Sequence, residues 1–197
     1  MKSFKNWLII AILPLVIAGC ASAPAKTNYL LSTETTPVAN SAHALPSLLV
    51  SQVRSLGRLS TEMFYSRSPN EIESFTQNEW AAPPAQLIQA AITQDLDNRG
   101  LFEYVVMAPT NISAAYRLDM SILEMRQYFP NETESYITLK LQARLINNRN
   151  NQIVKTYTYN EQVPAPTYDA AGGVKAYNSA LNSIADRLAQ ALTRTVR

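Results

Sequence analysis

Ile137-Thr138-Leu139-Lys140-Leu141-Gln142-Ala143-Arg144-Leu145 is the stretch on which the fold class turns. Apolar and polar side chains alternate with a period of two, the pattern of a strand with one face on a core and the other in water. Asn147-Asn148-Arg149-Asn150-Asn151 follows as a turn, because asparagine tolerates positive φ. Ile153 to Val163 then returns as an antiparallel partner. Upstream, Tyr116, Leu118, Met120 and Ile122 alternate with Arg117, Asp119 and Ser121. Leu123 and Met125 break that phase, which predicts a β-bulge. The centre of the chain therefore reads as a three-stranded antiparallel meander.

Helices flank it on both sides. Val174, Tyr177, Leu181, Ile184, Leu188 and Leu192 recur at helical spacing and predict an amphipathic helix of about five turns. Gly172-Gly173 reads as the loop leading into it. On the N-terminal side, Pro83 and Pro84 open a second helix, since a missing N–H costs nothing in a first turn. Its apolar face is Leu87, Ile88, Ala91, Ile92 and Leu96, and Gly100 is its expected left-handed cap. Glu103 to Met107 reads as a buried strand between helix and meander. Further out, Met63–Arg67 and Glu71–Thr76 form a hairpin around Ser68-Pro69-Asn70. Leu48–Arg54 reads as one strand and Tyr29–Ser32 as another. The expected fold is α+β, a mainly antiparallel sheet with two amphipathic helices packed on one face.

The first residues do not belong to that fold. Lys2 and Lys5 precede an apolar run from Trp7 to Ile17 that is shorter than a membrane span and is interrupted by Pro14. This is a secretory signal. It ends in Ile17-Ala18-Gly19-Cys20, the pattern of a bacterial lipobox, with the chain's only cysteine at the position that receives lipid. Cys20 is thus the expected lipid-attachment residue, and its acyl chains anchor the protein stably. Ala21 stands where an Asp would mark inner-membrane retention in the general sorting pattern of Gram-negative bacteria, so the outer membrane is the expected site. The expected organisation is a signal peptide over 1–19, a tether over 20–27 and one α+β domain over 28–197.

Composition removes several chemistries. Of 197 residues, 47% are hydrophobic and 16% charged, enough apolar material for a core. The 17 basic and 15 acidic residues are too balanced for a nucleic-acid binder. With Cys20 lipidated there is no disulfide, thiol nucleophile or cysteine-ligated metal. The single histidine, His43, sits in a Pro- and Ala-rich loop and reads as solvated rather than catalytic. The five glycines, at 19, 57, 100, 172 and 173, build no phosphate-cradling motif. Glu71/Glu73, Asp95/Asp97 and Glu132/Glu134 are spaced i, i+2 and read as solvated surface. No catalytic residue, metal or cofactor is expected, and the protein is read as a non-enzyme.

Three features in order carry a family resemblance. Leu-Val-Ser-Gln-Val at 49–53 is followed by Phe64-Tyr65, and then by Asn78-Glu79-Trp80-Ala81-Ala82-Pro83 leading into a helix. With the lipobox and the Asn28-Tyr29-Leu30-Leu31 start, the chain resembles the ABC-type transport auxiliary lipoproteins over roughly residues 28–195. The resemblance implies a non-catalytic docking component of an ABC-type envelope lipid transporter that maintains membrane integrity. It implies an MCE-type periplasmic protein as partner, a homo-oligomeric ring, and ATP hydrolysis on another subunit. Two alternatives stay open: a periplasmic lipid-binding carrier, and an assembly factor for an outer-membrane β-barrel. Tyr65, Trp80 and Pro83 read as core packing and helix start. Tyr128 and Phe129 lie at a predicted hairpin tip beside polar Asn131-Glu132-Thr133 and are the candidate partner interface. The same two rings would otherwise cap the end of the sheet.

Overall fold

A computed structural model describes residues 25–37, 45–55 and 60–196. Cys20, His43 and Gly57 lie outside them. The described chain runs β1 (Thr27–Tyr29), β2 (Leu48–Val50), β3 (Arg54–Ser55), β4 (Glu62–Ser66), β5 (Glu73–Trp80) and α1 (Pro84–Asn98). It continues with β6 (Val105–Met107), β7 (Tyr116–Tyr128), β8 (Tyr136–Asn147), β9 (Gln152–Pro164) and α2 (Ala170–Val196).

β7 is the spine of a nine-stranded sheet. One of its edges carries the antiparallel ladder to β8, which pairs in turn with β9, as the alternation predicts. The predicted bulge falls between Ile122 and Glu124. It resets the phase, so that Met125, Gln127 and Phe129 continue the inward face begun by Leu118, Met120 and Ile122. The other edge of β7 is taken in parallel by β2 and β3 near its start and by β4 near its end. β6 pairs β2 and β1 pairs β5, also in parallel. The long ladders make the sheet mostly antiparallel, yet its short pairings are largely parallel, which the alternation pattern does not show. A parallel pair is joined by a long crossover, and nothing local in either strand marks the match.

Three smaller expectations are corrected. Leu48–Arg54 is not one strand but β2 and β3, separated by residues 51–53 outside regular strand, of which Ser51 still donates its N–H to the Leu118 carbonyl at 3.0 Å. Val105 and Val106 are only half-buried and Met107 is exposed, so β6 is not a fully buried strand. Gly172-Gly173 is not a loop but the first turn of α2. A Cβ at Gly172 would meet the Thr167 backbone, and one at Gly173 would meet the Gln127 side chain.

Both helices bury the faces their spacing predicts. Ile88, Ile92 and Leu96 of α1 and Leu181, Ile184, Leu188 and Leu192 of α2 belong to one core cluster with Ile137, Leu139, Leu141 and Leu145 of β8. α2 lies against β8 and β9, and α1 against β6 and α2. Gly100 closes α1 with φ 58°. An N-terminal strap crosses the helices. The Ser32 and Glu34 N–H groups donate to Asn178 Oδ1 (3.2 Å) and Asn182 Oδ1 (2.8 Å), one turn apart on α2. Thr35 donates to the Asp95 carboxylate. Among the described residues no helix is long and apolar enough to cross a membrane.

Candidate functional site

Two turns meet at one end of the sheet, the β4–β5 turn over 67–72 and the β7–β8 turn over 129–135. Parallel pairing of Tyr65 with Gln127 and Ser66 with Tyr128 sets them side by side. The Phe129 N–H then donates to the Ser66 carbonyl at 2.9 Å. The two predicted interface residues part company here. β alternation sends Phe129 inward and Tyr128 to the outer face.

Phe129 is 7% exposed. Its ring meets Tyr65 edge-on at 5.5 Å, Phe75 at 6.2 Å and Tyr168 at 4.8 Å. These are the separations at which aromatic quadrupoles attract. Phe129 thus ties the two turns and the start of α2 together, and does not itself project. Tyr128 is half-buried and stacks on Tyr136 with centroids 5.2 Å apart. Its hydroxyl donates to Glu124 Oε1 at 2.6 Å, and the Arg126 guanidinium stands 5.7 Å from its ring centre. Partial burial, and then the bond to Glu124, push the Tyr128 hydroxyl above its ordinary pKa.

The N-terminus of α2 braces this end. Gln127 is buried, and its Nε2 donates to Ser135 Oγ (3.1 Å) and the Asp169 carbonyl (3.0 Å). The Asp169 carboxylate caps the helix, accepting the Gly172 N–H at 2.7 Å and the Thr167 hydroxyl at 2.7 Å. Those two donors hold it below the usual carboxylate range. The Tyr168 hydroxyl donates to the Asn131 carbonyl at 2.6 Å, stitching the β7–β8 turn to the same helix.

On the outer face the braced turns enclose a cleft of about 380 Å³ between Arg67, Pro69, Tyr128, Pro130 and Tyr136. Arg67 is held by Glu73 through Nη1 at 2.9 and 3.0 Å and faces the Tyr65 ring at 5.0 Å. Sequence reasoning reached Tyr128 but not Tyr136, Arg67 or Pro69. Tyr136 was visible in principle, since the two tyrosines flank one hairpin turn and must pair across it. Arg67 and Pro69 come from a distant turn, with no local sign of it.

The paired acids do not converge. Asp97 is exposed and Asp95 buried, as i, i+2 positions on a helix must diverge. Asp95 is therefore not solvated surface. It is fully buried and pairs with Arg99 Nε at 2.6 Å, and Arg99 also reaches Asp186 on α2. Its place in the Ile88–Ile92 stripe and the i, i+4 arginine were the available signal. Glu73 serves Arg67 and Tyr65, and Glu134 accepts from Asn131 Nδ2. Among the described residues no three His, Cys, Asp or Glu side chains group as metal ligands.

The fold and its braced end define a small α+β domain that presents a surface. A family model described as the ABC-type transport auxiliary lipoprotein component matches residues 29–189. The chain belongs to that family, as its sequence resemblance implied. Among curated proteins none matches. The fold recurs in a crystal structure of a protein from Xanthomonas campestris, at TM-score 0.71 and 18% identity over 87% of this chain and 94% of that one. It recurs in an uncharacterized protein at TM-score 0.65 and 15% identity, covering 85% of this chain and 99% of that one. A PelC dodecamer from Paraburkholderia phytofirmans superposes at TM-score 0.40 with 14% identity, over 80% of this chain and 91% of its own. A likeness that loose bears on neither assembly nor partner.

Proposed function

We propose that this auxiliary lipoprotein is an outer-membrane-anchored, non-catalytic docking component of an ABC-type envelope lipid transporter. Cys20 carries the lipid, an MCE-type periplasmic protein is the partner, and the lipoprotein works as a homo-oligomeric ring. α2 packs against β8 and β9, and α1 packs against β6 and α2. Family membership and the lipobox support the transport role. The cleft between Tyr128, Tyr136 and Arg67 is the single observation that carries docking. Aromatic and arginine side chains held rigid at a concave surface are the groups that dominate interface energy.

The geometry also separates anchor from cleft. β1 meets the Asn78–Trp80 end of β5, whereas the cleft is at the Glu73 end. Thr27 is opposite Asn78, so five rises of about 3.3 Å put on the order of 17 Å between the start of β1 and Glu73. The test is binding of the MCE-type partner to the mature chain carrying Tyr128→Ala or Arg67→Glu. Either substitution should weaken binding tenfold or more while the melting temperature stays within a few degrees. Unchanged binding by both would remove the cleft from the interface.

A further inference from the structure

A second concavity lies beside the β4–β5 hairpin, along the edge of β7. It holds about 410 Å³ between the hairpin, the bulged part of β7, the first turn of α1 and Tyr177 of α2. Most of its wall is apolar, with Met63, Phe64, Phe75, Trp80, Leu123 and Met125 in it, and the carboxylates of Glu62 and Glu124 stand in the same lining. Residues from both ends of β5 contribute, Ile72 beside the turn and Trp80 beside β1. Ile72 is 58% exposed, whereas Trp80 is 3% exposed. The space therefore runs from an apolar mouth inward to a buried indole. Arg126 stands in the same wall. Its only hydrogen bond among the described residues is a long 3.4 Å one to Ser66 Oγ, and it forms no ion pair among them.

We propose that this cavity binds one acyl chain of a phospholipid, with the phosphate held by Arg126. Three observations converge on that ligand. The volume falls within the ~300–1,000 Å³ of ligand sites. At ~30 Å³ per methylene, near the share of a water molecule in the liquid, it admits on the order of a dozen carbons. That is most of one chain and not two. The Arg126 guanidinium, which has the Tyr128 ring beside it but no carboxylate ion pair among the described residues, suits a phosphate oxygen pair, and Glu62 and Glu124 in the same lining suit the ammonium of a zwitterionic headgroup. The bulge at Leu123 explains how the space arises, because the extra residue bends β7 away from the hairpin.

The proposal deepens the lipid-transport reading, and it is measured without any partner, so failure of one leaves the other standing. Trp7 lies in the signal peptide, so Trp80 is the sole tryptophan of the mature chain and reports from the cavity wall. The probe is lysophosphatidylethanolamine with a brominated acyl chain, added below its micelle concentration to the mature chain carrying Cys20→Ser. Trp80 emission should fall at least twofold, saturably. Ile72→Glu, at an exposed position, should weaken this tenfold or more with an unchanged melting temperature. Arg126→Gln should weaken the lysophospholipid several-fold but leave a brominated long-chain alcohol unaffected. No quenching, or quenching that Ile72→Glu leaves intact, would overturn the site. Equal weakening of both probes by Arg126→Gln would overturn the phosphate contact.

Discussion

Phe129 and Tyr128 are neighbours in sequence with different jobs, and the difference is measurable. Truncating a buried aromatic costs about 3–5 kcal/mol. Phe129→Ala should therefore lower the melting temperature by many degrees in a thermal scan. Tyr128→Ala, which loses one stack and one bond to Glu124, should cost only about 1 kcal/mol. Comparable small losses for both would show that Phe129 is not the tie between the turns. Asp169 gives a pH signature of definite sign. Its carboxyl is held below its unfolded value by the Gly172 N–H and the Thr167 hydroxyl. Its contribution is therefore complete above the unfolded value near ~4 and is lost as pH falls through the folded one. Melting temperatures from pH 7 to pH 2.5 should fall less steeply on the acid side for Asp169→Asn than for the native chain. Parallel curves would mean that the cap carries no charge-dependent stability.

At the scale of elements, α2 does more than cover the sheet. Its inward stripe closes the core, Asn178 and Asn182 hold the N-terminal strap, and its first turn braces the end of the sheet that carries the Tyr128 cleft. The brace depends on Gly173, because Gln127 occupies the space where a Cβ would sit. Gly173→Ala should destabilise the protein by about 1–3 kcal/mol through overpacking. The penalty should shrink when Gln127→Ala makes room, and a double-mutant cycle in urea measures that coupling. Additive effects would show that the helix start and β7 are not in contact. Gln127 Oε1 is buried with no hydrogen-bond donor, so this joint is close-packed rather than fully satisfied.

For the whole molecule, attachment is the first thing to establish. Cys20→Ala should abolish acylation and leave the protein uncleaved or soluble. Co-fractionation of the cleaved variant with outer membranes after a high-salt wash would refute anchoring through Cys20. Seven residues at no more than ~3.6 Å each keep the start of β1 within ~25 Å of Cys20. The sequence by itself determined what repeats locally: the alternation of β7 and β8, the bulge at Leu123, the apolar stripes of both helices, the Gly100 cap and the Asn147–Asn151 turn. Each is a matter of which neighbours along the chain share a face, and period and turn chemistry encode that directly. Only the tertiary structure decided the parallel matches of β2, β3 and β4 with β7, the burial of Phe129, and the Gly173–Gln127 joint. It also decided both concavities, with Tyr136 and Arg67 at one and Trp80 and Arg126 at the other. These depend on residues far apart in the chain meeting in space, where long-range packing overrides local preference and leaves no periodic trace.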